Sequence, residues 1–148
     1  MTAAPGSKLT VDGKECDYLF YECLVPATEF ETGAGFLLPV QDRKAILSDL
    51  LDKYGFNAKE KADFLEFWLE YLDADTAYLM IPQTQEMVDK AMPLDLSIPA
   101  DTVYRIWFGF APVCEDASQI SVLPEALIRP IIRESFTVVE WGGAIITP

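Results

Sequence analysis

The stretch Asn57 to Leu72, NAKEKADFLEFWLEYL, constrains the fold of this chain more than any other. Phe64, Leu65, Phe67, Trp68, Leu69, Tyr71 and Leu72 are apolar, whereas Asp63, Glu66, Glu70 and Asp73 recur at offsets of 3, 4 and 3. On a helix these sets separate into an aromatic stripe and an acidic face. Asn57 followed by Glu60 has the spacing of a capping box, and Gly55 suits the residue that stops an earlier helix. The spacing predicts a helical hairpin, its first arm capped by Asp42 and running to Tyr54, with Ala45, Ile46, Leu50 and Leu51 inward. Burying about four or five side chains of the second arm, at roughly 1.5–3 kcal/mol each, contributes on the order of 10 kcal/mol before chain entropy is subtracted.

Such a stripe needs a surface to cover, and the other apolar segments read as strands. Lys8 to Val11 and Lys14 to Cys23, joined by Asp12-Gly13, form an expected β-hairpin. Phe36 to Val40 is a short extended piece, and Tyr78 to Ile81 a short strand ended by Pro82. Thr84 to Ala91 is expected as a short helix closed by Pro93. Thr102 to Phe110, TVYRIWFGF, is the best strand, rich in aromatic and β-branched residues, and is expected in the middle of a sheet. Ala111 to Gln119 reads as a loop, Ile120 to Pro130 is ambiguous, and Phe136 to Trp141 is a last strand ended by Gly142-Gly143. The expected fold is α+β: an antiparallel sheet of 14–23, 102–110 and 136–141 with the helical hairpin of 42–72 packed on one face. Residues 1–8 are expected as a flexible start and 9–148 as one domain.

Charge removes several function classes. With 11 basic against 24 acidic residues the net charge is −13, which repels nucleic acid and anionic membranes. The chain has no histidine, which excludes Ser-His and Cys-His catalytic pairs and the commonest zinc ligand. Cys16, Cys23 and Cys114 match no metal-ligand spacing and read as reduced thiols, with a disulfide between two of them left open. The opening residues lack the apolar core of a signal peptide, and no apolar run approaches the roughly 20 residues of a membrane span. A reducing, cytoplasmic setting is favoured. Nucleotide-binding glycine motifs are absent, and Asp73-Ala-Asp75 departs from a calcium loop at Ala77, Tyr78 and Thr84. Neither a metal nor a cofactor is expected.

Three charges interrupt the strongest strands: Glu22, Arg105 and Glu140. By strand alternation Glu22 shares a face with Phe20, Arg105 with Val103 and Trp107, and Glu140 with Val138 and Phe136. Paired carboxylates in such surroundings suit general acid–base hydrolysis; the commoner role of such a set is a structural ion-pair network. A recognition surface built from Tyr18, Tyr21, Tyr104 and Trp107 is a further candidate. The acidic row Asp63, Glu66, Glu70 and Asp73 reads either as a solvated face or as a docking strip for a basic partner or divalent cations.

DYLFYE (17–22), GFLLP (35–39), FLEFWLEYL (64–72), YLMIP (78–82), MPLDLSIPADTVYRIWF (92–108) and FTVVEWGG (136–143) occur in an order that resembles the C-terminal portion of a family found in bacterial proteins and in some fungal ubiquitin-fusion proteins. The resemblance spans roughly residues 9 to 143, with YLF[YW]E and VEWGG its most distinctive parts. Longer members carry a β-rich segment with a KPVIYLYP-like motif, which is missing here. The proline usual after the tryptophan–leucine pair is also replaced, so Trp68-Leu69 continues into Glu70-Tyr71 and the helix is expected to run on by about a turn. The resemblance implies fold and extent and carries no reaction. The expected function is a small acidic interaction module, with self-association open. The alternatives are a hydrolase using Glu22 and Glu140 and a structural domain supporting an upstream segment.

Overall fold

A computed structural model describes residues 2–4, 8–113 and 121–146. Three short strands come first: β1 (Thr2–Ala4), β2 (Lys8–Val11) and β3 (Lys14–Cys16). They are followed by β4 (Phe36–Leu38), α1 (Arg43–Lys53), α2 (Ala58–Tyr71), β5 (Tyr78–Pro82), α3 (Gln85–Ala91), β6 (Thr102–Pro112) and β7 (Thr137–Ile145). The first three strands make an antiparallel sheet of their own. The main sheet has the order β4-β5-β6-β7; β4, β5 and β6 are antiparallel neighbours, but β7 lies parallel to β6, so the sheet is mixed where an antiparallel one was expected.

The α+β class and the helical hairpin on one face are as the sequence indicates. Asn57 accepts from the backbone N–H groups of Lys59 and Glu60 while Glu60 reaches back to Asn57, so the capping box forms. Gly55 takes φ +80° between the two helices. Asp42 stands at the N-cap of α1 but its side chain makes no capping hydrogen bond, Ala45 faces solvent, and Leu47 is buried with Leu50 and Leu51. Strand alternation then divides the sheet's side chains between two layers. Phe36, Leu38, Tyr78, Met80, Phe108 and Phe110 pack under the hairpin against Phe64 and Trp68. Leu79, Ile81 and Trp107 face the other way, against α3 and the loop carrying Phe30.

Three strand boundaries differ from expectation, the first being that of β6, which runs on through Ala111-Pro112 in register with Leu79 and Tyr78 of β5 where a loop was expected. β7 continues through Gly142-Gly143 to Ile145, because those glycines are packing positions. A Cβ on Gly142 would lie 2.9 Å from the Trp107 ring, and one on Gly143 2.7 Å from the Phe108 carbonyl and 2.8 Å from Trp68. The second arm of the early hairpin stops at Cys16, so 14–23 is not a strand of the main sheet. Residues 17–25 instead form a strap around the outer edge of β7. Tyr18 packs on Trp141 beneath the hairpin, and Tyr21 packs on Trp107 on the opposite layer. Three residues span about 10 Å, enough to round one strand. High β-propensity here reflects aromatic packing in place of ladder pairing. Cys114 lies outside the described residues, as does the rest of the segment from 114 to 120.

Candidate functional site

Arg105 and Glu140 stand opposite each other in the parallel β6–β7 register, so their side chains leave the sheet on the same face. The arginine side chain is 2 % exposed, and a cation that deep needs a partner at every donor. Its Nε and Nη2 donate to the two oxygens of Glu140, each at 3.0 Å, in a bidentate pair. Nη1 donates to Asp89 at 3.1 Å and to the carbonyls of Val88 and Met92 at the end of α3, the first of which also accepts from the Met92 N–H. Thr84 caps α3 by accepting from the Met87 N–H, which sets where those carbonyls fall.

Glu140 Oε1 also accepts from the Tyr21 hydroxyl at 2.8 Å and from Trp107 Nε1 at 2.9 Å. Burial by itself lowers the Arg105 pKa, but the hydrogen bonds to Glu140 and Asp89 outweigh it and the guanidinium is held above its ordinary range. Partial burial, then the hydrogen bond to the Glu140 carboxylate, push the Tyr21 phenol up to about 12. Toward the end of the strap, Cys23 is a free thiol with its sulfur 3.2 Å from that of Met92. Two open clefts of about 350 and 250 Å³ flank Arg105, sharing walls at Pro93 and Leu94.

Of the residues the sequence offered for catalysis, the structure joins Arg105 to Glu140 and leaves Glu22 out. Glu22 lies on the strap, exposed, with no hydrogen bond or ion pair among the described residues. Asp89, on α3, takes the place of the second acid. A general acid or base needs a carboxyl free to exchange its proton with a substrate. Glu140 accepts four hydrogen bonds from the protein's own groups. Among the described residues no three His, Cys, Asp or Glu side chains gather as a metal site would require.

The four aromatic candidates do not share a surface. Tyr18 and Tyr21 are about half exposed on the strap; Trp107 is buried, and Tyr104 faces the helical layer, where its hydroxyl accepts from the Ile132 N–H. Along the acidic row, Asp63 pairs with Lys59 and Asp73 accepts from Asp75 and Thr76 in the turn after α2. Glu66 and Glu70 are exposed.

Phe20, Phe67 and Tyr71 form an aromatic ridge outside both buried clusters, although Phe67 and Tyr71 belong to the apolar stripe of α2. Phe20 lies against Phe67, centroids 6.2 Å apart, and Phe67 stacks on Tyr71 at 5.5 Å and 16°. One signal was present: apolar residues at nearly every position from 64 to 72 exceed the width of one helix face, so some had to emerge beside the acids. No protein-family model, curated protein or solved structure matches the chain. Among the described residues no helix is long and apolar enough to cross a membrane.

Proposed function

We propose that this chain is a small acidic protein-interaction module that binds through the ridge of Phe20, Phe67 and Tyr71. The observation that carries the reading is the exposure of these joined rings, 63 %, 40 % and 60 %. Apolar side chains scattered singly are normal on a protein surface, whereas contiguous exposed aromatics mark recognition sites. The ridge is also held in place. Tyr21, bonded to Glu140, and Tyr18, packed on Trp141, anchor the strap on either side of Phe20. Ordering a surface before binding lowers the entropy lost on association.

The hydrolase alternative draws no support from the geometry, since Glu22 stands apart and the Glu140 oxygens are occupied. A domain that supports a further strand-rich segment, as the family resemblance suggests, has one observation in its favour, that no described strand pairs with the outer edge of β7, although the strap of 17–25 already passes round that edge. The other end of the sheet is extended by the Gly35–Val122 bridge.

Affinity capture with the wild-type chain and with a Phe20→Ser/Phe67→Ser variant of unchanged circular dichroism tests the module reading. Partners held by the wild type and lost by the variant are expected. Identical captured sets would overturn it.

A further inference from the structure

We infer that the ridge receives a basic segment, with an arginine or lysine seated against Phe67 and Tyr71 and neutralised by Glu66 and Glu70; the inference rests on the ridge being the binding surface. The protein contains a worked instance of the same chemistry about two helical turns away. Lys59 Nζ lies 5.6 Å from the centroid of the Tyr18 ring, 2.6 Å from Asp63 and 3.8 Å from Asp17. A cation over an aromatic face between two carboxylates is stabilised by the ring quadrupole and by charge together.

Lys59, Asp63, Phe67 and Tyr71 recur every four residues and so lie along one row of α2. At the far end of that row the elements repeat: Phe67 and Tyr71 present stacked rings, and Glu66 and Glu70 occupy the adjoining solvent-facing row. Among the described residues no cation of the chain pairs with Glu66 or Glu70, in contrast to Asp63. A partner side chain completes the second niche as Lys59 completes the first. Guanidinium is the better fit, because its plane can stack on the rings while its edge donates to carboxylates.

The net charge of −13 draws a basic partner from a distance and opposes a second copy of the chain, whose acids would meet these acids. Hence the occupant is a basic segment with apolar residues interleaved, the apolar ones covering Phe20.

The test is a titration of isotope-labelled protein, followed by backbone NMR shifts, with a peptide alternating arginine and leucine and with its glutamate-for-arginine counterpart. The arginine peptide is expected to move the signals of residues 17–22 and 63–71, and the glutamate peptide to move none. Glu66→Gln/Glu70→Gln should weaken the arginine peptide roughly three- to tenfold, the loss of two exposed ion pairs. Equal binding of both peptides, or of wild type and the glutamine variant while Phe67→Ser abolishes binding, overturns the basic partner and leaves the ridge as a binding surface. Binding indifferent to both variants, no binding at millimolar peptide, or ridge shifts that grow with protein concentration alone overturn the inference; indifference to Phe67→Ser removes the ridge as well.

Discussion

Arg105 and Glu140 are cross-strand neighbours in a parallel pair, joined by two hydrogen bonds of 3.0 Å with the arginine side chain almost wholly enclosed. The pair ties three otherwise separate parts of the chain together, because Asp89 of α3 and Tyr21 of the strap bond to the same two side chains. A buried ion pair is weak evidence of net stability, yet breaking one partner leaves a charge stranded. Arg105→Met should therefore destabilise the fold by about 3 kcal/mol, and Arg105→Met/Glu140→Met by much less than the sum of the single changes. Urea unfolding of the four proteins checks this; an Arg105→Met protein as stable as wild type would remove the structural role.

Tyr21 supplies a pH dependence. Its phenol is held at about 12 in the folded protein, against an ordinary value near 10, so the folded state keeps a proton that the unfolded chain has released between those values. The stability it contributes is therefore full below pH 10 and declines as pH rises toward 12. Tyr54, raised further by burial, acts in the same direction. Ultraviolet titration at high pH should show one phenol with a midpoint near 12 that disappears in Tyr21→Phe.

The two glycines of β7 give a steric prediction. Gly143→Ala places a methyl against the Phe108 carbonyl, which cannot rotate away, and should cost about 1–3 kcal/mol in thermal or urea unfolding. A Gly143→Ala protein of wild-type stability would show that β6 and β7 separate more easily than this packing implies.

The two helix starts separate a cap in position from a cap in use. Asn57→Ala removes two hydrogen bonds and should cost about 1 kcal/mol. Asp42→Ala removes no side-chain bond and should change stability by less than about 0.5 kcal/mol. Equal effects would mean that Asp42 caps α1 in solution.

The elements dominated by short-range physics were legible in the residues. α2, its capping box, the Gly55 turn, the Asp12-Gly13 hairpin turn and the central position of β6 all follow from spacing, propensity and turn chemistry acting within a few residues. The alternation that placed Arg105 and Glu140 on one face was legible too, since period 2 is a property of any strand. Asp89 was not, because its role depends on where α3 docks.

What the sequence determined by itself is therefore the elements and the two-faced character of each. Only the tertiary structure decided the partners. DYLFYE has the pattern of a strand, but its aromatics gain as much by rounding the edge of β7 as by joining the sheet, and alternation cannot distinguish the two. Gly142-Gly143 has the composition of a strand end, but Trp107, Phe108 and Trp68 occupy the space a side chain would need. Phe67 and Tyr71 carry a core-like pattern, yet the sheet beneath α2 has room for Phe64 and Trp68 and leaves the other two rings in solvent. Which aromatic is scaffold and which is surface depends on the area one sheet can cover, a property of the assembled layers.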